Sequence, residues 1–252
     1  MKLSANLGFL FTEMPLAERV RAAHDAGFDA VEFHDQPQNT PLAPVVQALA
    51  DTGLEVIALN THMGAVMGRA ALSQAEFERD LVAATNSARA LGAGAIHVTA
   101  GIGGSAELYL AALKVALLRT SCPILIEPIC PQAVPGYHLS SLMQAEAVLN
   151  AVNHPRLKLM FDWYHIATME GEAAALSHMV RLGCQIGHLQ LARLVDRGDP
   201  VPDRMPELDA LLRGAHRSGV TTLGLEYRAT MPVATTLARL RQMLKAIQHE
   251  KP

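Results

Sequence analysis

Cysteine is scarce in this 252-residue chain. There are three, Cys122, Cys130 and Cys184, an odd number with no CxxC spacing. That argues against a disulfide framework and reads as reduced thiols in a cytoplasmic protein. An excess of one charge is also missing. The 21 lysines and arginines face 24 acids, for a net charge of −3, and form no basic stripe. Nucleic acid is therefore not expected as a partner. No run reaches the ~18 apolar residues of a membrane helix, so no membrane partner is expected. The opening MKLSANLGFLFTEMP lacks a long hydrophobic region and a small-residue cleavage site, and reads as a strand rather than a signal peptide. No glycine-rich phosphate loop follows the first apolar run, which weighs against a doubly wound sheet. With no linker or low-complexity tract either, residues 1–252 are expected to form one catalytic domain.

What is present is a regular alternation. Eight short apolar runs fall at 3–9, 29–33, 54–60, 95–100, 123–127, 157–162, 185–191 and 222–226. Helical patterns lie between them. PLAERVRAAHDAG places Pro15 near its start and Gly27 at its end. SQAEFERDLVAATNSARALG opens with Ser73, carries Glu76 three residues on and stops at Gly92, as a capping box and C-cap do. Further helices are expected near 41–52, 106–120, 140–152, 170–182 and 206–218, and MPVATTLARLRQMLKAIQ supplies the last. Eight strand–helix units in a half-apolar chain of this length predict an α/β fold, a single (β/α)8 TIM barrel.

In such a barrel the reactive groups come from the C-terminal ends of the strands. Strand five ends at Glu127, with Pro128 stopping the ladder. Strand six ends at Asp162, strand seven in His188-Leu189-Gln190, and strand eight at Glu226. A lone acid at a strand end is often a solvated loop residue. Four adjacent strands carrying oxygen donors to one rim read as a site. Grouped carboxylates repel unless a cation neutralises them or one keeps a proton. Three carboxylates and an amide oxygen suit a hard divalent ion, Mg2+ or Mn2+, better than Zn2+. His165, three residues past Asp162, is a substrate contact or a loop histidine. His62 and His97 are weaker candidates of the same kind. Glu32, near the end of strand two, either joins the site or is paired inside the barrel. Arg228 shares the direction of Glu226 in an extended continuation and offers a fork for a substrate carboxylate. The bland alternative is a surface arginine, and Arg193 stands in the same position.

At these residues the chain resembles the hydroxypyruvate isomerase family of xylose-isomerase-like TIM barrels. The resemblance runs over nearly the whole length. It is carried by SANLGFLFTEMPLAERVRAAHDAGFDAVEF, LIEPICPQAVPGYHLS, FDWYHIATMEG, GHLQLA and GLEYR. The resemblance implies that Glu127 and Glu226 transfer the proton, and that Glu127, Asp162, Gln190 and Glu226 surround a metal position. It implies a reaction that interconverts hydroxypyruvate and tartronate semialdehyde, a small-molecule substrate. Moving a carbonyl along a short chain requires taking a proton from one carbon and returning it to the next, which two glutamates can do. Nearby donors, His62, His165, His188 and Arg228 among them, would bind substrate.

The loops differ from the family more than the strand tips do. After strand three, NTHMGAVMGRAALS keeps Asn60 but brings His62 in place of a proline. After strand seven, DRGDPV keeps Arg197 and Pro200, while Gly198 replaces a histidine and Asp199 a glutamate. The segment 101–122 is short, and His138 stands where phenylalanine is common. Tips carry chemistry and loops carry substrate choice. An isomerase of a small hydroxy-carbonyl acid is therefore expected, with a related 2-oxo sugar acid as an alternative substrate. A ketose epimerase, a lyase or dehydratase, and a non-catalytic metabolite-binding barrel are the competing readings. Homo-oligomerisation is left open, because no interface stretch stands out.

Overall fold

The structure, a computed structural model, describes residues 1–249. Its strands are β1 (Lys2–Asn6), β2 (Ala30–Phe33), β3 (Glu55–Asn60), β4 (Ala95–His97), β5 (Ile124–Ile126), β6 (Leu157–Asp162), β7 (Ile186–Leu191) and β8 (Thr222–Leu225). The helices are α1 (Leu16–Ala26), α2 (Leu42–Thr52), α3 (Gln74–Leu91), α4 (Ala106–Arg119), α5 (Leu142–Val152), α6 (Trp163–Glu170), α7 (Glu172–Arg181), α8 (Leu208–Arg217) and α9 (Val233–His249). The strands pair in chain order, all parallel, and β8 closes on β1 through Ser4↔Gly224 and Ala5↔Leu225. The expected barrel is the observed one.

The apolar runs become strands because a parallel sheet wrapped by helices is buried on both faces. Outward residues such as Leu3, Ala5, Val31, Phe33 and Phe161 pack beneath the helices in one continuous core. Inside the barrel, Ala58, Ala95, Leu125 and Met160 form a separate small apolar plug. Each sits two residues before Asn60, His97, Glu127 and Asp162 respectively. The twofold periodicity of a strand therefore sets those polar side chains on top of the plug, facing inward at the C-terminal end.

The helix signals hold. The Ser73 hydroxyl accepts from Glu76 N–H at 3.4 Å, and Gly92 ends α3 in the left-handed conformation at φ 67°. Two details differ from the sequence reading. The first run stops at Asn6, whose side-chain oxygen accepts from Gly8 N–H and turns the chain. The stretch after Asp162, read as a loop, is helix α6. Asp162 Oδ1 caps it by accepting from Tyr164 N–H at 2.8 Å, and α7 follows after Gly171. Among the described residues no helix is long and apolar enough to cross a membrane.

Candidate active site

A cavity of about 520 Å³ opens at the C-terminal end of the barrel, and its lining includes Glu127, Gln190 and Glu226. All three are nearly inaccessible, as is Asp162 beside them. Glu226 Oε2 accepts from Asn6 Nδ2 and Gln190 Nε2, each at 2.6 Å. Glu127 lies between two histidines, with His97 Nε2 and His165 Nε2 each 3.7 Å from its carboxylate. His97 is oriented from behind by Asn60 Oδ1 at 3.1 Å. Because α6 begins directly at Asp162, its first turn swings His165 back over the strand tip. There the ring Nε2 lies 3.6 Å from Asp162 Oδ2, while Nδ1 faces Cys130.

Arg197 binds the acids together. From the loop after β7 its guanidinium donates to Asp162 Oδ2 at 2.8 Å and to Glu226 Oε1, and contacts His165 Nε2 at 3.1 Å. The rings of Phe9 and Tyr164 flank it at 4.7 and 4.8 Å. Cation–ring contact of this kind favours arginine over lysine. Arg197 itself is left-handed, at φ 53°, a conformation disfavoured for residues with a Cβ. The backbone bond from Arg228 N–H to Arg197 O, at 2.7 Å, helps fix it there.

This packing sets the proton states. Burial pushes the Glu226 carboxyl up, Arg197 opposes it, and Asp162 and Glu32 add to the rise, leaving it at about 8. Burial also holds Glu127 well above the usual carboxylate range, reinforced by Asp162 and Glu226. Burial lowers His165 and His34 to about 4 and His97 to about 3, so these rings are neutral near pH 7. For Arg197, the attraction of Glu226, Asp162 and Glu127 outweighs the effect of burial and strengthens its hold on the proton.

The residues singled out in the sequence separate into three groups. Glu127, Asp162, Gln190, Glu226 and His165 meet in one place. Arg228 lines the cavity mouth with an exposed side chain. His62 and His188 do not line the cavity. His62 pairs with Asp35 at 3.2 Å. His188 lies deeper on β7 and contacts Glu32 Oε2 at 2.7 Å, so Glu32 is paired inside the barrel. The residues that sequence reading passed over are Arg197, His34, Phe9 and Asn6. Only Arg197 carried a signal, as the retained arginine of the loop after β7.

The donor set fits a divalent cation. Glu127, Asp162 and His165 each offer a ligand atom, all within 4.8 Å of one another. Gln190 Oε1 is buried and has no partner among the described residues. Three carboxylates within reach, one neutral imidazole and an amide oxygen form a mixed O/N set for such an ion. Arg197 already supplies one positive charge to the same oxygens.

The loop walls have their own fastening. Asp199 is fully buried and accepts from Thr230 N–H at 3.1 Å, from the Thr230 hydroxyl and from Arg204 Nη1 at 3.2 Å. It thereby ties the loop after β7, which carries Arg197, to the loop after β8, which carries Arg228.

Known proteins resemble the chain over most of its length. A hydroxypyruvate isomerase of Escherichia coli strain K12 is 32% identical over 264 residues, covering 96% of this chain and 98% of the relative. A 2-oxo-tetronate isomerase of Pectobacterium atrosepticum is 28% identical over 215 residues, covering 79% of this chain and 81% of its own. Among solved structures, a Brucella melitensis protein described as AP endonuclease, family 2, superposes with a TM-score of 0.88 at 26% identity, covering 96% of this chain and 98% of the other. Residues 20–249 match the family described as Xylose isomerase-like TIM barrel. With these matches the chain belongs to the hydroxypyruvate isomerase family of xylose isomerase-like TIM barrels.

Proposed function

We propose that the whole chain acts as one catalytic domain that moves a carbonyl between adjacent carbons of a small hydroxy-carbonyl acid. The substrate is hydroxypyruvate, in exchange with tartronate semialdehyde, or a related 2-oxo sugar acid. The observation that carries this reading is the pair Glu127 and Glu226. They are two buried carboxyls lining one cavity, both with raised proton affinity.

The ionised member of the pair removes a proton from the hydroxyl-bearing carbon. The protonated member delivers one to the former carbonyl carbon, and the hydroxyl proton moves to the other oxygen through the enediolate. A base performs best when its pKa lies near the working pH, which is where burial leaves Glu226. Arg197, anchored between two rings, presents fixed positive charge where oxygen charge develops. His97, whose Nδ1 hydrogen goes to Asn60 Oδ1, and His165, whose Nε2 accepts from Arg197, are neutral and turn lone pairs rather than donors toward Glu127. Glu127, Asp162 and His165, with Gln190 and Glu226 beside them, would hold a divalent cation, Mg2+ or Mn2+. When bound, the cation would polarise the carbonyl. Arg228 at the mouth would take the substrate carboxylate.

The cavity volume supports a longer acid as a second reading. About 520 Å³ lies within the range of ~300–1,000 Å³ typical of sites for drug-sized ligands, leaving room beyond a three-carbon acid. The deciding test is NMR detection of deuterium entering hydroxypyruvate, tartronate semialdehyde or four-carbon 2-oxo acids in D2O, with and without Mg2+ or Mn2+. Label should enter beside the carbonyl, and Glu127→Gln and Glu226→Gln should each abolish it. Arg228→Ala should raise KM about tenfold with kcat little changed, as loss of one charged contact does. Exchange that survives both glutamine variants would overturn the assignment.

A further inference from the structure

Glu32 is a carboxylate where none is expected. It lies on the inner face of β2, is 2% exposed and does not line the catalytic cavity. A buried carboxylate persists only where hydrogen bonds replace water. Its donors come from across the barrel, on β7. His188 Nε2 approaches Glu32 Oε2 at 2.7 Å and Gln190 Nε2 donates to the same oxygen at 3.2 Å. Space for this arrangement is made on β8. A Cβ at Gly224 would lie 2.3 Å from Glu32 Oε1, 2.7 Å from His188 Nε2 and 3.1 Å from Gln190 Cγ.

The consequence falls on the Gln190 amide. Its nitrogen has two hydrogens, and both are committed, one to Glu32 Oε2 and one to Glu226 Oε2. Its oxygen is buried, has no donor among the described residues, and belongs to a side chain that lines the cavity. Rotating the amide by half a turn would set its oxygen against a carboxylate on each side. Glu226 trades a proton in the proposed reaction and so can face either end of an amide. Glu32 is shut off from the cavity and keeps His188 as its donor. His188 Nδ1 meets no partner among the described residues, so Glu32 is the one hydrogen-bond partner its ring has there.

We propose that Glu32, braced by His188, is a positioning residue that locks the Gln190 amide with its carbonyl oxygen presented to the cavity, for a substrate hydroxyl or a divalent cation. The geometric part stands without the isomerase reading, while its effect on turnover rests on that reading. Partners of this kind, one step behind a ligand, typically change metal affinity or activity by 10–100-fold when removed.

The test uses the full chain, labelled with 15N. The Gln190 side-chain amide pair is identified by its loss in Gln190→Leu. In the wild type it should be shifted downfield and slow to exchange with solvent, because both hydrogens are bound. In Glu32→Gln, which keeps shape, and in Glu32→Met, the pair should move and exchange faster. Mn2+ affinity, read by the free-ion EPR signal, should fall about tenfold, and kcat should fall with KM nearly unchanged. An amide pair unmoved in Glu32→Gln, with Mn2+ affinity within twofold of wild type, would reduce Glu32 to barrel filling. If Glu32→Met fails to fold, the isosteric variant decides alone. If no acid exchanges deuterium in the wild type but the amide pair still responds to Glu32, the isomerase reading fails and the positioning role stands.

Discussion

Replacing Arg197 with methionine removes the positive charge from the site while keeping an unbranched side chain between Phe9 and Tyr164. The charge touches both Asp162 and Glu226. Two unit charges roughly 4 Å apart in an effective dielectric of about 20 interact by about 4 kcal/mol, or about three pKa units. Arg197 lowers the Glu226 pKa, so its loss must raise it further above the present value of about 8. At pH 7 the ionised fraction would fall from roughly one in ten to as little as ~10⁻⁴. Proton abstraction should slow by a similar factor. The assay is a 13C-carboxylate NMR titration of metal-free protein labelled at Glu Cδ, with Glu226→Gln giving the assignment. Deuterium exchange followed over pH provides a second readout. Arg197→Lys keeps the charge but loses the fork and the stack, and should shift Glu226 by about one unit. A Glu226 titration within half a unit of wild type in Arg197→Met would show that the guanidinium is not its counter-charge.

Two further outcomes follow from the same geometry. Glu226 titrates at about 8 in the folded protein against an ordinary 4.5, and Glu127 is raised as well, so the native state binds these protons more tightly than the unfolded chain. The stabilisation from Glu226 is complete below pH 4.5 and is lost as pH climbs through about 8, and Glu127 acts in the same direction. Glu226 alone accounts for up to about 5 kcal/mol across that window. Urea midpoints of metal-free protein should fall from pH 5 to pH 9, and Glu226→Gln should flatten the curve. Equal midpoints at both ends in the wild type would contradict the burial argument. Separately, Gly224→Ala places a methyl 2.3 Å from Glu32 Oε1. It should destabilise the fold by about 1–3 kcal/mol, as overpacking does, and a wild-type urea midpoint would show that the Glu32 and His188 side chains can yield.

The barrel was legible because parallel strands covered on both faces become uniform apolar runs, and because the caps at Ser73 and Gly92 are local chemistry. The carboxylates were legible because an acid that terminates an apolar run stands out against it. Depth was not legible. Gln190 and His188 share one face by twofold periodicity, but only the closed barrel shows that the first lines the cavity and the second lies against Glu32. Arg197 was hidden for a different reason. It reaches Asp162, 35 residues away, from a loop, and depends on a left-handed backbone that no strand or helix pattern announces. The α6 helix was missed because Asp162 serves both as a strand tip and as a helix cap, a double duty that reads as a loop in sequence.

The Asp199 fastening bears on how this family could change substrates. Thr230 and Arg204 grip one carboxylate, so the loop bearing Arg197 and the loop bearing Arg228 behave as a single exchangeable cassette. Importing the β7 loop of a relative by itself would remove Asp199 and Arg204 together and strand the Thr230 amide and hydroxyl. Importing both segments together, with their own internal clasp, would preserve it. Recombination libraries built on this scaffold should therefore cross over before residue 192 and after residue 236, where Thr236 also reaches Asp199, rather than between the two loops.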